Sequence, residues 1–387
     1  MPIAGVFLLI LAMIVGYQAL YCYASLGRDW TGLFYSGDRM ARPPELSGFQ
    51  FHDSYGYDGQ QYRVLAHDPL NRKGYWKYLD DARFRSRRIL IPAAAALLGG
   101  GSRSAVDFWF VVIVDVSLAL GGVCFVLLTN GVCPTLGAIA IYSAIPAVIA
   151  STDRMVVDGP LVGAFLAAWL FLRHNRRGAL WGVLACAPLI REAGILLNAG
   201  VALVFLRRRD LRGTLRACAT TLPALAWWWW GALHTVASGA GALLSIPLIP
   251  QIAHMFRMET RPLAAWQNAV FQTIVVAAGL CLLAAFGMVA VKLWRGLRQR
   301  RIEDDVLLVL PSAVLAAFAS SADIVREPYG FARIDSVLLV WAGLRLLAEG
   351  RWLAGYAYLP VCGSGLLLFR ASPVWQFVRM MGNAGGR

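Results

Sequence analysis

Apolar runs long enough to cross a lipid bilayer recur along almost the whole chain. A membrane-spanning helix needs about 20 consecutive apolar residues, within a range of about 17–25. The runs Ile3–Leu20 and Ala265–Val291 reach this length without a single charged residue. Of the 387 residues, 58% are hydrophobic and 15% are charged, whereas soluble domains average about 45–50% apolar and about 25% charged residues. The sequence therefore predicts an all-α polytopic integral membrane protein and argues against a disordered, collagen-like or nucleic-acid-binding chain.

About eleven runs are candidate transmembrane helices. The first, Ile3–Leu20, exceeds the apolar region of a cleaved signal peptide and has no basic residue before it, so we expect it to stay in the membrane. The segment Ile89–Leu98 is too short to span and is expected to continue an interfacial helix. The other candidates are Ala105–Leu128, Thr135–Ala150, Pro160–Leu172, Ala179–Ile190, Gly194–Leu206, Ala217–Val236, Ala265–Val291, Val306–Ser320, Ser336–Ala348 and Trp352–Phe369.

Charge predicts the topology. The net charge is +14, and the loops 174–177, 207–212 and 292–301 are strongly basic. These loops fall on one side of the predicted helices, which should be the cytoplasm because cytoplasmic loops carry the excess of Lys and Arg. The N-terminus is then cytoplasmic. Residues 1–387 form one predicted domain, with a long first external loop over 23–104 and the remaining helices over 105–370.

The predicted external loops mix acids with arginines. Ionisable groups at membrane segments are costly and tend to mark function, so we expect a common external site. The acids and arginines of the predicted external loops that we assign to this site are Asp58, Asp153, Arg154, Asp158, Arg191, Glu192, Glu259, Arg261, Asp323, Arg326, Glu327, Arg333 and Asp335.

The segment Tyr55–Tyr62 of the first external loop places one carboxylate, Asp58, among tyrosines and glycines. Glycine allows a ligand to approach the backbone closely, and a carboxylate in such a position can take a proton from an attacking hydroxyl as a general base. The alternative is an ordinary Asp-Gly turn.

A basic cluster, Arg83–Arg88, follows at the predicted outer interface. Guanidinium groups match phosphate oxygens in pairs, so the cluster is suited to lipid head groups or a polyprenyl phosphate. The alternative is a set of snorkelling arginines on an amphipathic helix. His52 and His67 lie near aspartates, which makes a divalent metal conceivable, but the spacing of metal ligands is missing. The run Trp227–Trp230 also has two interpretations. It is either an aromatic belt at the membrane interface or a platform on which a carbohydrate ring stacks.

Several of these motifs together resemble the bacterial cell-surface glycopolymer-formation membrane proteins, which look like members of the GT-C superfamily of glycosyltransferases. The resemblance rests on Tyr57-Asp58-Gly59-Gln60 with Tyr62 and Asp68-Pro69, and on Arg87-Arg88 before Ile89-Leu90-Ile91-Pro92. It extends through Asp153-Arg154, Asp158-Gly159-Pro160 and Arg191-Glu192, and covers about the first 200 residues with motifs. Gln61 departs from it, since an aromatic residue is expected there.

The resemblance implies a GT-C-like fold in the bacterial inner membrane and an active site on the periplasmic side. It implies a polyprenyl-phosphate sugar as donor, a glycan or lipid-linked acceptor, membrane lipids as surroundings, and Asp58 as the catalytic base of an inverting transfer. Some members use a divalent metal and others do not. The residues that would bind substrate are Tyr57, Gln60, Tyr62, Arg87, Arg88, Asp153, Arg154, Asp158, Arg191, Glu192 and Arg326.

Two other classes stay open. A transporter or flippase of a lipid-linked saccharide would also be membrane-embedded and rich in arginine, although such proteins usually carry polar residues near the bilayer midplane and repeated halves. A non-catalytic scaffold for glycan assembly is the third class. The seven cysteines lie in or beside apolar runs, so we expect buried thiols rather than a disulfide framework.

Overall fold

A computed structural model describes residues 1–235, 248, 252–253, 265–318 and 335–384. Apart from an isolated bridge between Gly37 and Phe51 and two short 3₁₀ turns, Trp30–Phe34 and Tyr75–Tyr78, the regular structure in these ranges is α-helical. The sequence prediction of an all-α chain is confirmed for this part of the protein.

The helices follow the predicted apolar runs closely. In chain order they are α1 Ile3–Ser25, α2 Asp58–His67, α3 Ala82–Arg85, α4 Leu90–Gly99, α5 Arg103–Leu128, α6 Thr135–Ser143, α7 Pro146–Arg154, α8 Asp158–Arg173, α9 Arg177–Ile190, α10 Gly194–Arg207, α11 Leu211–Ala219, α12 Leu222–Leu233, α13 Ala265–Arg298, α14 Asp304–Phe318, α15 Ser336–Ala348 and α16 Trp352–Ala384.

Three of the described helices, α1, α5 and α13, are long and apolar enough to cross a membrane, and the pair α6 and α7 makes a fourth if it counts as one span. This pair is bent by 64° at the residues before Pro146, where proline disfavours a helical conformation in the preceding residue. The predicted run Ala217–Val236 is likewise divided, between α11 and α12. Shorter apolar helices account for most of the other predicted runs.

Large apolar side chains cover much of the outer surface of the helices. Leu8 of α1 is 62% exposed, Leu97 of α4 is 82% exposed and Leu353 of α16 is 91% exposed. So much exposed apolar surface is unfavourable in water, whereas lipid chains solvate it at no such cost. The structure therefore supports a membrane-embedded helical protein.

Polar contacts gather at two places. At the first, which we call the basic end, Arg207 and Arg208 pair with Asp304, while Arg177 pairs with Asp210. Lys292 also pairs with Glu349 there, which joins the C-terminal part of α13 to the end of α15. At the second, which we call the loop end, the first loop meets the α7–α8 and α9–α10 connections.

Candidate active site

Asp58 is the first residue of α2, and two glycines shape the backbone around it. Gly56 has a φ of +72°, a conformation that favours glycine, and the amide of Tyr57 donates to the Tyr35 carbonyl. A Cβ on Gly59 would lie 2.1 Å from the Arg154 carbonyl oxygen, so only glycine allows α2 to approach α7 this closely. The two glycines thus hold Asp58 at a helix N-terminus, where a negative charge is favourable.

The Asp58 carboxylate is buried and faces two guanidinium groups. Its Oδ2 lies 2.5 Å from Arg85 Nη1 and 3.5 Å from Arg88 Nη1. The Tyr62 hydroxyl, one helical turn along α2, donates to the same oxygen at 3.4 Å. The side chain of Asp58 is 8% exposed, so these charges act with little screening by water.

Arg88 connects the first loop to the α9–α10 connection. Its Nε and Nη2 donate to the two oxygens of Glu192, both at 2.6 Å, and its Nη1 donates to the Tyr62 hydroxyl at 2.5 Å. Burial opposes ionisation of Glu192, but Arg88 outweighs it and lowers the pKa of that carboxyl to about 2. Burial by itself would lower the pKa of Arg88, but the charge of Glu192 outweighs burial and raises that pKa above its ordinary value. The pair is therefore fully ionised at neutral pH.

A second ion pair lies beside the first. Arg191 pairs with Asp158, the first residue of α8, while burial and the nearby Arg88 lower the pKa of Arg191 to about 10. The turn that carries Arg191 is tight, because a Cβ on Gly194 would lie 2.2 Å from the Ala187 carbonyl carbon and oxygen. The Asp335 carboxyl is also near Arg191. Burial raises its pKa to about 8, so this carboxyl is mostly protonated at neutral pH.

Arg154 lies between two aromatic rings. Its guanidinium carbon is 4.1 Å from the centre of the Tyr35 ring and 4.5 Å from that of Tyr57. Such cation–π contacts hold the guanidinium next to the segment that leads into Asp58. The neighbouring Asp153 instead pairs with Arg370 of α16 at 2.8 Å.

Some predicted residues have other roles. The Gln60 amide donates to the Tyr55 carbonyl at 2.7 Å and accepts from the Gly37 amide at 3.1 Å, so it fastens the loop. Arg87 packs over Trp228, with its guanidinium carbon 5.8 Å from the ring centre. Arg326, together with Glu259, Arg261, Asp323, Glu327 and Arg333, lies outside the described residues.

Arg85, which the sequence did not single out, makes an ion pair with Asp58 at 2.5 Å. Its Nε and Nη2 also donate to both oxygens of Asp80, at 2.8 and 2.6 Å. Burial would raise the pKa of Asp80, but Arg85 outweighs it and lowers that pKa. Gln61, the departure from the resembled pattern, accepts from the Asp80 amide at 3.3 Å. The signal was present in the spacing of Asp80 and Arg85 around the short, Asp81-capped helix α3.

The tryptophan run contacts this arginine segment. The Trp227 indole donates to the Ser86 carbonyl at 2.7 Å, and the Trp228 indole donates to the Arg87 carbonyl at 3.3 Å. Trp230 stacks on Trp227 and meets Trp76 edge-on. The run thus packs α12 against the first loop, in addition to any role it has at the interface.

The donor set at this site does not suit a divalent cation. Arg85 and Arg88 face Asp58, Arg88 faces Glu192, and Arg191 faces Asp158, so each carboxylate already has a cationic partner. His67 donates from Nε2 to Asp107, which also accepts from Arg63 at 2.7–3.1 Å, and this group joins α2 to α5.

Comparisons of the chain with protein-family models, with curated proteins and with solved structures found no match.

Proposed function

We propose that this protein is a GT-C-like membrane glycosyltransferase of the bacterial inner membrane, with about eleven spans and its active site on the periplasmic side. It would move a sugar from a polyprenyl-phosphate donor to a cell-surface glycan or lipid acceptor. One observation carries the proposal: Arg88 joins Asp58 of the first loop to Glu192, which lies 104 residues after Arg88 in the sequence. A transfer with a phosphate leaving group needs a carboxylate that can accept a proton and guanidinium groups that can face the phosphate.

In the proposed reaction, the acceptor hydroxyl gives its proton to Asp58 while its oxygen attacks the anomeric carbon. The bond between that carbon and the phosphate oxygen breaks, and the polyprenyl phosphate leaves with the electron pair. Because attack and departure occur on opposite faces, the anomeric configuration inverts. One C–O bond forms, one breaks, and the proton ends on Asp58.

Arginines would stabilise the negative charge that develops on the departing phosphate, an electrostatic contribution that is often the largest in catalysis. Arg88 and Arg191 are the first candidates because both are buried and adjacent, and Arg154 is the third. Glu192 and Asp158 hold the first two in position and would bind sugar hydroxyls at their remaining lone pairs. Tyr57 would present aromatic surface to the sugar ring. The Tyr62 ring is fully buried, which argues against its predicted contact with substrate, and its hydroxyl instead contacts Asp58 and Arg88.

Arg85 has to move for the acceptor to reach the base. Arg85, Arg88 and the Tyr62 hydroxyl all contact the same oxygen of Asp58, Oδ2. Arg85 has a side chain that is 10% exposed, against 3% for Arg88, and it has a second partner in Asp80. We therefore propose that Arg85 turns toward Asp80 when the acceptor binds.

The test is Asp58→Asn, with transfer of label from the polyprenyl-phosphate-sugar pool of isolated membranes to surface polymer as the readout. We expect transfer to fall by about 10²–10⁴-fold, the usual contribution of a general base. Asp53→Asn is the matched control, because that carboxylate is 82% exposed in its pair with Arg39. An Asp58→Asn protein that folds normally and transfers at the wild-type rate refutes the proposal.

A flippase of lipid-linked saccharide is the second candidate, and two observations favour it. The α6–α7 pair is broken by a 64° bend, and broken helices are common in transporters. Within α5, the buried Asp115 accepts from Gln18 at 2.9 Å, and such intramembrane carboxylates often mark transport paths. In a flippase, Asp115→Asn rather than Asp58→Asn would abolish the movement of the saccharide across reconstituted vesicles.

A further inference from the structure

Helix α11 begins at the basic end and runs antiparallel to α10. Gly213 lies against the Phe205 ring, since a Cβ there would be 2.6 Å from it. Farther along, the Asn198 amide donates to the Thr220 hydroxyl at 2.9 Å. Gly213 and Ala217 are buried in this contact. The opposite face of α11 therefore points away from the helices that it packs against.

That face carries a row of leucines. Leu211 is 66% exposed, Leu215 is 69% exposed and Leu222, at the start of α12, is 61% exposed. At 1.5 Å per helical residue, the row from Leu211 to Leu222 is about 16 Å long. A bilayer core is about 30 Å thick, so the row has the length of the acyl chains in one leaflet.

A row of arginines accompanies the leucines. Arg212 and Arg216, one turn apart, are exposed beside Leu211 and Leu215, and Arg209 is exposed just before the helix. Within the described residues these three form no ion pair, in contrast to Arg207 and Arg208, which share Asp304. The acid in this segment, Asp210, accepts from the Gly213 amide and pairs with Arg177, and the charge of Arg216 helps these two to lower its pKa.

We propose that this face of α11 binds an anionic phospholipid. The phosphate would lie against the guanidinium groups of Arg209, Arg212 and Arg216, and the acyl chains would follow Leu211, Leu215 and Leu222. Guanidinium groups bind phosphate oxygens in pairs, and arginines near a helix end extend toward the head groups while their stems stay in apolar surroundings. Charge and length thus fit one lipid of the leaflet at the basic end.

Native mass spectrometry of the detergent-purified full-length protein tests this directly. The probes are phosphatidylglycerol and phosphatidylcholine with identical acyl chains. We expect the Arg209→Gln/Arg212→Gln/Arg216→Gln variant to bind phosphatidylglycerol at least about tenfold more weakly than wild type, because each arginine near an anionic lipid contributes about fivefold. Phosphatidylcholine binding should not change.

The matched control removes the same charge at the same end. Arg295, Arg300 and Arg301 are also exposed and form no ion pair within the described residues, and their triple change to Gln should leave phosphatidylglycerol binding unaltered. An equal loss of phosphatidylglycerol binding in this control would show that the overall positive charge of the basic end attracts the lipid, without a specific site, and would overturn the proposal. Wild-type binding by the α11 variant would overturn it as well.

Two further measurements separate a lipid from a free phosphate. Leu211→Ser/Leu215→Ser should weaken phosphatidylglycerol binding while the arginines stay in place. Inorganic phosphate at equal concentration should not displace the lipid. If phosphate alone competes fully and the leucine changes have no effect, the arginines form a site for a soluble anion and the proposal of a phospholipid is wrong.

Discussion

Replacing Arg88 by Gln should destabilise the protein more than almost any other single change of charge at the loop end. Arg88 is 3% exposed and donates two 2.6 Å hydrogen bonds to Glu192. Without it, Glu192 loses its guanidinium partner in a partly buried position. Removing one partner of a buried ion pair typically costs about 3–5 kcal/mol, because the other charge stays uncompensated.

The pKa of Glu192 gives a second figure, which is the net effect of burial, of Arg88 and, to a smaller extent, of Arg191 and a backbone hydrogen bond. A pKa of about 2, against an ordinary 4.5, corresponds to about 3 kcal/mol in favour of the ionised form. Because the pKa is lowered in the folded state, this stability is present above pH 4.5 and is lost as the pH falls toward 2. The two figures agree in magnitude, so we expect a cost of about 3 kcal/mol at neutral pH.

A double-mutant cycle in detergent micelles measures this. The free energy of unfolding is compared among wild type, Arg88→Gln, Glu192→Gln and the double variant. We expect a coupling energy of about 2–3 kcal/mol at pH 7 that shrinks between pH 4.5 and 2. The exposed pair Arg39 and Asp53 provides the control cycle, where about 1 kcal/mol or less is expected.

A coupling energy near zero, or one equal to that of the control cycle, would refute the reasoning. It would mean that Arg88 and Glu192 exchange their contacts for water without cost, so that the connection between the first loop and the α9–α10 turn carries no stability. A coupling that persists unchanged at pH 2 would show that the interaction does not depend on the charge of Glu192.

The remaining predictions concern backbone fit, a buried acid and a buried ion-pair group. Gly59→Ala should lower the thermal unfolding midpoint markedly, since its Cβ would lie 2.1 Å from a backbone carbonyl, whereas Gly182→Ala, with nothing within 4 Å, should not. Burial raises the pKa of Asp335 to about 8, so wild-type stability should fall as the pH rises from about 4 to 8, and Asp335→Asn should flatten this decline in a pH series of unfolding midpoints. Asp107→Asn should cost about 3 kcal/mol or more in chemical unfolding, because it removes the charge that faces buried Arg63.

The neighbours Arg85 and Arg87 show where prediction from sequence ends. Both lie in one basic hexapeptide, and the resemblance favoured Arg87 over Arg85. In the structure, Arg85 pairs with Asp58, while Arg87 packs over Trp228. Their separation depends on the short helix α3, whose cap at Asp81 turns one side chain toward Asp58 and leaves the other facing α12.

The sequence alone determined the helical, membrane-embedded character, because runs of apolar residues without charge have few other stable forms. It also indicated that acids and arginines from separate loops belong together, since charge is costly away from the ends of such helices. Only the tertiary structure decided the partners: Arg88 with Glu192, Arg191 with Asp158, and Asp153 with Arg370. Ion pairing depends on distances of a few ångströms between segments far apart in the chain, and residue order does not encode those distances locally.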